Sequence, residues 1–291
     1  TEKVFLNKPL TLPEGGGGSL RWRVVFSRLG ENKLTVRFGS NRYAVLEFFV
    51  TQPLETLIKK RAAFLVARQQ HRDPTKWYNG LFSEWDMLAR RQRGPDDTDG
   101  LADYILASDD QALCKAPYIA AKNVFYPEPA EIEAVEYYLQ NFVWGRLQMT
   151  DREPHPYAIY GIDNWKVNRE SRPADRNGWV DHLWRAYDYP HLVCLYWSMY
   201  QIASRHPELV HYLDREGYLE RAYGTALGFY TYPWQFARWS ANEVGNYNEI
   251  VIPELIGELE AVGWKEKADG LRRHWEEKVE YFVNQQPDLF Y

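Results

Sequence analysis

Residues 189–230 read YPHLVCLYWSMYQIASRHPELVHYLDREGYLERAYGTALGFY, and this stretch decides the fold class. It predicts one helix from Tyr189 to Arg205 and a second from Leu219 to Tyr230. A short turn, His206 to Gly217, joins them. Asp188-Tyr189-Pro190 provides a capping side chain and an early proline for the first helix. The short turn favours an antiparallel helical pair.

The same pattern repeats on both sides of this pair. The other predicted helices are Ala112–Asn123, Pro129–Trp144, Glu249–Val262 and Glu266–Val283. Short turns close each pair, whereas long connections precede each pair, at residues 71–109, 145–187 and 231–247. A ring of six such pairs takes on the order of 350 residues. We therefore predict a mainly α chain, a partial (α/α)6 toroid of about three helical hairpins whose working face carries the long loops.

The N-terminal part of the chain has a β-like composition. Three runs rich in Val, Phe, Arg and Thr predict an antiparallel meander, and their ranges are Leu20–Arg28, Lys33–Phe38 and Tyr43–Thr51. A helix is expected over Leu54–Gln70. The predicted domains are the C-terminal part of a β-sandwich-like domain (1–52), a linker helix (53–75) and the first half of the toroid (76–291).

The composition excludes several classes of function. The formal net charge is −5 and there is no long basic run, so nucleic acid and anionic membrane surfaces are not expected partners. No apolar run approaches the ~20 residues that span a bilayer. The only two cysteines, Cys114 and Cys194, lie in predicted buried helices and are interpreted as core residues rather than a disulfide.

Aromatic residues make up 16% of the chain and concentrate in the long loops together with carboxylates. Glycoside hydrolysis needs two carboxyl groups, one protonated and one ionised. The catalytic candidates at predicted helix N-termini are Asp109, Asp110, Asp188 and Glu249. Each has a structural alternative as a helix cap. No cofactor is expected; Asp96-Asp97-Thr98-Asp99-Gly100 resembles a fragment of a calcium loop but lacks its full spacing.

Flat aromatic rings next to amides and acids can stack on sugars and bind their hydroxyl groups. The predicted substrate-binding residues are Trp77, Trp85, Asp97, Asp163, Trp165, Tyr187, His191, Tyr247 and Asn248. His191 could equally be a core histidine. Carbohydrate is the expected partner.

Several motifs resemble a poorly characterised microbial family grouped with six-hairpin glycosidases. They are Trp77-Tyr78-Asn79-Gly80, Ser108-Asp109-Asp110, Lys115-Ala116-Pro117, Tyr157 to Trp165-Lys166-Val167-Asn168, and Asp188-Tyr189-Pro190-His191. The resemblance implies an (α/α)6 toroid behind a β-domain, action on polysaccharide and a secreted location. It assigns no catalytic residues, and the chain stops before the second half of such a toroid.

The leading hypothesis is a glycoside hydrolase, or a fragment of one, that acts on a polysaccharide through carboxylates. The first alternative is a polysaccharide lyase on the same scaffold, with Tyr187, His191 and Asn248 moving protons beside a uronate. The second alternative is a carbohydrate-binding protein without catalysis.

Overall fold

The computed structural model describes residues 24–38, 40–97, 113–160, 183 and 185–285. The chain divides into two compact units, Thr1–Leu57 and Ile58–Tyr291. The mainly α fold class is confirmed, with a smaller antiparallel β part before the helices. The predicted domain boundaries at residues 52 and 75 stay predictions.

The first unit contains a two-stranded hairpin. Strand β1 (Gly30–Phe38) pairs antiparallel with β2 (Arg42–Val50), with Gly30 opposite Val50 and Phe38 opposite Arg42. The predicted three-stranded meander is wrong in the part that the structure describes, because residues 24–28 are not a strand. The Asn32 side chain donates to the carbonyls of Arg28 and Gly30 at 3.0 and 2.9 Å. These local bonds bend the chain just where strand pairing would have to begin.

Helix α1 (Leu54–Gln69) is followed by a loop with the short strands β3 (Trp85–Asp86) and β4 (Arg91–Gln92). The helices of the second unit then follow in pairs. They are α2 (Lys115–Phe125) with α3 (Pro129–Tyr138), α4 (Asp188–Arg205) with α5 (Arg215–Ala237), and α6 (Val251–Ala261) with α7 (Lys265–Glu280). Helices α3 and α7 continue into single π-helical turns, Leu139–Val143 and Tyr281–Gln285. No described helix has the length and apolar character needed to cross a membrane.

Contacts between helices show that α2, α4 and α6 run in the same direction. Near their C-terminal ends, Arg205 of α4 donates to the Val124 carbonyl of α2 at 3.0 Å. Trp197 and Tyr200 of α4 donate to Glu254 and Glu258 of α6, two contacts in the same register. The N-termini of these helices therefore share one end of the unit, the end that carries the long connections.

Helix α4 is the centre of the core. It packs against α2, α5 and α6. Its buried side chains lie all around the helix, as expected for a helix enclosed by others. The fully buried hydroxyl groups of Tyr189 and Tyr196 are satisfied: Tyr189 accepts from the Ile159 N–H at 3.1 Å, and Tyr196 donates to Gln148 at 2.7 Å.

Two sequence expectations about helix ends are corrected. Cys114 is exposed rather than part of the core, because it stands at the N-cap of α2, before the helix begins. Cys194 is partly buried on α4, and no disulfide joins the two.

Helix α5 is longer than predicted and includes Pro233, since Asp214 caps its start through the Gly217 N–H and buried Tyr232 holds its last turns.

The close approach of α5 to the segment after α3 depends on Gly224. A Cβ atom at Gly224 would lie 2.5–2.6 Å from ring carbons of Tyr157. The Tyr157 ring also meets the Trp144 ring, with 5.6 Å between their centroids, so it would have to move against that ring or away from α5. We expect Gly224→Ala to lower the free energy of unfolding by about 1–3 kcal/mol, measured by denaturant titration.

Gly257 of α6 is the matched control, because a Cβ there meets nothing within 4 Å. Gly257→Ala should raise the free energy of unfolding by roughly 0.5–1 kcal/mol through helix propensity. Equal effects at the two glycines would contradict the close approach.

Candidate functional site

The N-terminus of α4 brings several titratable and aromatic side chains together. Tyr187 precedes the helix, and Asp188 and His191 lie in its first turn. Arg185 lies just upstream, with its guanidinium carbon 4.5 Å from the centroid of the Tyr187 ring. Trp239, after the end of α5, meets the same ring edge-on at 5.7 Å. The Tyr187 ring thus contacts both a cation and an indole.

His191 joins this group to α6. Its Nδ1 lies 3.0 Å from the Nδ2 atom of Asn248, which comes just before α6. His191 is buried, with 3% of its surface exposed. Asn248 is exposed and has a left-handed backbone, φ 64°, a conformation that asparagine tolerates better than most residues. The contact fixes the imidazole and sets which ring nitrogen carries the proton of the neutral form.

Asp188 is the buried anion of this group. It has no exposed surface, and its Oδ2 lies 3.8 Å from Nε of Arg185. A buried carboxylate beside a guanidinium stabilises the charge and the orientation of that cation. This position favours a role in holding Arg185 over direct contact with a polymer.

Glu249 lies next to Asn248 but is engaged elsewhere. Its Oε2 is 2.7 Å from Nζ of Lys278, which extends from the last turn of α7. Asn246 also donates to the Glu249 carboxylate, at 3.3 Å. The predicted catalytic role of Glu249 stays a prediction, and its contacts indicate a structural ion pair.

In the first long loop, the tryptophans predicted to bind sugar pack against other aromatic rings. Trp77 is half-buried and lies against Tyr78 and Phe142. Trp85 in β3 meets Phe64 edge-on at 5.4 Å. Within the same loop, Asp97 accepts from the Gly94 N–H at 2.7 Å and from Arg91 at 2.9 Å. The Gly94 bond, followed by the arginine, lowers the pKa of Asp97.

The remaining candidates fall into two groups. Tyr247 is 71% exposed in the loop before α6. Four candidates lie outside the described residues: Asp109, Asp110, Asp163 and Trp165. Within the described ranges, no group of three or more His, Cys, Asp or Glu side chains is arranged to hold a metal ion.

Sequence reasoning did not select Arg185, Trp239 or Lys278. Arg185 had a signal, since it lies two residues from Tyr187 and three from Asp188. Lys278 had none, because a lysine on an amphipathic helix is normally a solvated residue. Only the packing of α7 against the loop before α6 reveals it.

The opposite end of the unit also has a cleft, of about 510 Å³, lined in part by Pro207, His211 and Arg215. Its polar groups have structural roles. Glu136 of α3 accepts from the backbone N–H groups of His211 and Tyr212 and from the Tyr218 hydroxyl, at 2.7–3.0 Å. Those bonds hold the α4–α5 turn against α3.

The protein is mainly α, and the polar side chains described above lie near the N-termini of the parallel helices α4 and α6. The chain belongs to a family of unknown function, DUF5695, whose model matches residues 16–287. A solved structure of a polysaccharide lyase is similar to it, with a TM-score of 0.68 and 18% identity, over 91% of this chain and 34% of that one. This chain thus spans about a third of the length of that protein. A search of curated proteins finds no match.

The Asn248 backbone and side chain can be tested separately. Asn248→Ala and Asn248→Gly both remove the amide, so both should shift the ¹⁵N resonances of the His191 ring. Glycine accepts the left-handed backbone freely, so Asn248→Gly should be more stable than Asn248→Ala by about 1 kcal/mol. Unchanged His191 resonances in both variants would contradict the contact.

His71 makes the stability of the first long loop depend on pH. Its Nε2 lies 2.8 Å from the Ser83 hydroxyl and 3.0 Å from the Arg93 carbonyl, and burial lowers its pKa below the ordinary 6.5. Above the ordinary pKa of 6.5 the His71 imidazole is neutral in both the folded and the unfolded chain. As the pH falls through 6.5, the unfolded chain takes up the proton first, so the folded state loses stability.

We expect the unfolding free energy to fall more between about pH 7 and about pH 5 in the parent protein than in His71→Gln. His206→Gln is the control, since His206 is at the other end of the unit, after α4. Parallel losses in parent and His71→Gln proteins would refute the assignment.

Proposed function

We propose that this chain carries the active centre of a polysaccharide lyase that cleaves a uronate-containing polymer by β-elimination. The observation that carries the proposal is the His191–Asn248 contact beside the Arg185–Tyr187 pair. The similarity of fold to a polysaccharide lyase supports it. The proposal takes up the set that the sequence offers for a lyase, Tyr187, His191 and Asn248.

The reaction requires two proton transfers and one stabilised charge. A base removes the proton from the carbon next to the uronate carboxylate, and an acid protonates the departing glycosidic oxygen. The intermediate carries extra negative charge on the carboxylate, so cations and N–H donors close to it lower the barrier. A double bond conjugated with the carboxylate is left in the product.

The side chains can be assigned to these steps. The Asn248 amide, which is exposed, donates to the uronate carboxylate. Tyr187, which is half-buried, takes the proton from the sugar carbon and gives a proton to the leaving oxygen, whereas the buried His191 orients the Asn248 amide. Arg185 contributes positive charge next to the phenol, and Asp188 keeps that guanidinium in place. The roles of Arg185, Asp188 and His191 use contacts already present among the described residues.

Glycoside hydrolysis is the alternative. Its predicted carboxylates are distributed unfavourably, since Asp188 has no exposed surface and Glu249 is bound to Lys278. Asp109 and Asp110 lie outside the described residues. A carbohydrate-binding protein without turnover is the remaining alternative, and one experiment separates all three.

The three helical pairs are proposed to form about half of a six-hairpin toroid. The proposed setting is a secreted protein that acts on a carbohydrate substrate without a cofactor. These proposals rest on the family resemblance and on the fold.

The test uses uronate polymers: polygalacturonate, alginate, hyaluronan and chondroitin sulfate. A lyase raises ultraviolet absorbance in step with new reducing ends, whereas a hydrolase produces reducing ends alone. Tyr187→Phe should lower the absorbance rate by about 10²–10⁴-fold, the range of general acid–base catalysis. His191→Ala should lower the rate as well, because it removes the partner of the Asn248 amide. Tyr126→Phe and His206→Gln, at the opposite end of the unit, should retain the parent rate.

Reducing ends without absorbance would favour the hydrolase. Saturable binding without either product would favour the binding protein.

A further inference from the structure

We propose that Lys278 is a positioning residue that fixes the loop from Ala241 to Glu249 and so presents Asn248 to His191. The catalytic part of this inference rests on the proposed function. The part that concerns the loop and the His191 ring rests on geometry alone.

The ammonium group of Lys278 contacts three oxygen atoms. They are the carbonyl oxygens of Ala241 and Val244, at 2.7 and 2.5 Å, and Oε2 of Glu249, at 2.7 Å. An ammonium has three N–H donors, so the three acceptors match its full capacity. Two of the acceptors belong to the backbone, and they therefore locate the path of the loop as well as one side chain.

The environment of the contact makes it strong and difficult to replace. The Lys278 side chain is 4% exposed and that of Glu249 15%. Burial lowers the pKa of Lys278, and the Glu249 carboxylate opposes that shift. The rings of Phe229 and Phe282 lie 5.7 and 5.6 Å from Nζ and exclude water. Removal of one charge would leave the other buried without its counter-ion.

The clamped segment has neither helix nor strand to hold it. Between Ala241 and Glu249 the chain forms turns and bends, and Asn246 adds a bond to the Val244 carbonyl at 2.8 Å. Asn248 lies inside the clamped stretch with φ 64°, so a small backbone rotation would swing its amide away from His191. A second anchor is the Cys194 thiol of α4, 3.7 Å from the Asn248 carbonyl.

This arrangement gives Glu249 a different part from the catalytic one predicted from sequence. Its carboxylate completes the coordination of Lys278, and its backbone directly follows Asn248. The Lys278–Glu249 ion pair connects the end of α7 to the start of α6. Asn248, whose amide is the proposed catalytic group, directly precedes Glu249.

The test compares Lys278→Met with Lys267→Met by ¹⁵N NMR of the histidine rings and by hydrogen exchange. Both lysines lie on α7 and both have a carboxylate partner, but Lys267 pairs with Glu220, away from the loop. Lys278→Met should shift the His191 ring resonances toward those of Asn248→Ala. It should also raise amide exchange over residues 241–249 on the order of tenfold or more. Lys267→Met should change neither.

A folded Lys278→Met protein with parent His191 resonances and parent exchange would overturn the proposal. Glu249→Gln provides the second variant if Lys278→Met does not fold. It keeps the shape and one acceptor oxygen, and a smaller change in the same resonances is expected. Unchanged resonances in that variant also count against the clamp.

The kinetic constants kcat and KM distinguish a positioning role of Lys278 from a purely structural one. Lys278→Met should lower kcat about a hundredfold with a smaller change in KM, as expected for misplacement of a reacting group by about 1 Å. Lys278→Arg should restore part of kcat. Altered resonances with parent kcat would reject the positioning role. If the parent protein cleaves no uronate polymer, the proposed function fails, and NMR alone decides whether the clamp exists.

Discussion

The enclosure of helix α4 is the constraint on which the rest of the described structure depends. Three helices surround it, so nearly every side chain from Asp188 to Ala203 is removed from water. Such burial stabilises a helix only if its polar groups find partners, because an unpaired buried donor or acceptor costs about 1–3 kcal/mol. Tyr189 and Tyr196 find theirs on the segment after α3, and Trp197 finds its partner on α6. Their bonds also fix the rotation of α4 about its axis.

That rotation determines what the first turn of α4 presents. His191, Cys194, Trp197 and Tyr200 follow one another at intervals of three residues, and this row contacts Asn248 and α6. His191 meets Asn248 there because α4 and α6 run parallel and in register. The proposed reaction therefore uses a geometry produced by core packing. The acid–base groups need no separate scaffold beyond the loop that holds Asn248.

Several buried charged residues of this protein hold segments of the chain together, and they are distinct from the groups proposed to contact the sugar. Lys122 with Glu131, Glu136 with the α4–α5 turn, and Lys278 with the loop before α6 all place a buried charge against several hydrogen-bonding partners. Glu136 and Lys278 connect segments far apart in sequence, whereas Lys122 and Glu131 join the neighbouring helices α2 and α3. Near the proposed centre, Asp188 acts on Arg185 in the same manner. Under the proposed function, the exposed Asn248 amide and the half-buried Tyr187 phenol are the groups that meet the sugar.

The sequence by itself determined the helical pairs, their order and the end at which the long loops gather, since these follow from periodicity, caps and turn lengths. It also named Tyr187, His191 and Asn248 together as one alternative. It could not show that Asn248 touches a residue 57 positions away, that Asp188 is sealed from solvent, or that Lys278 binds Glu249. Those facts depend on the register of α4 against α6 and of α7 against the preceding loop. Tertiary packing alone sets that register, because local propensities are equally satisfied by any rotation of a helix about its axis.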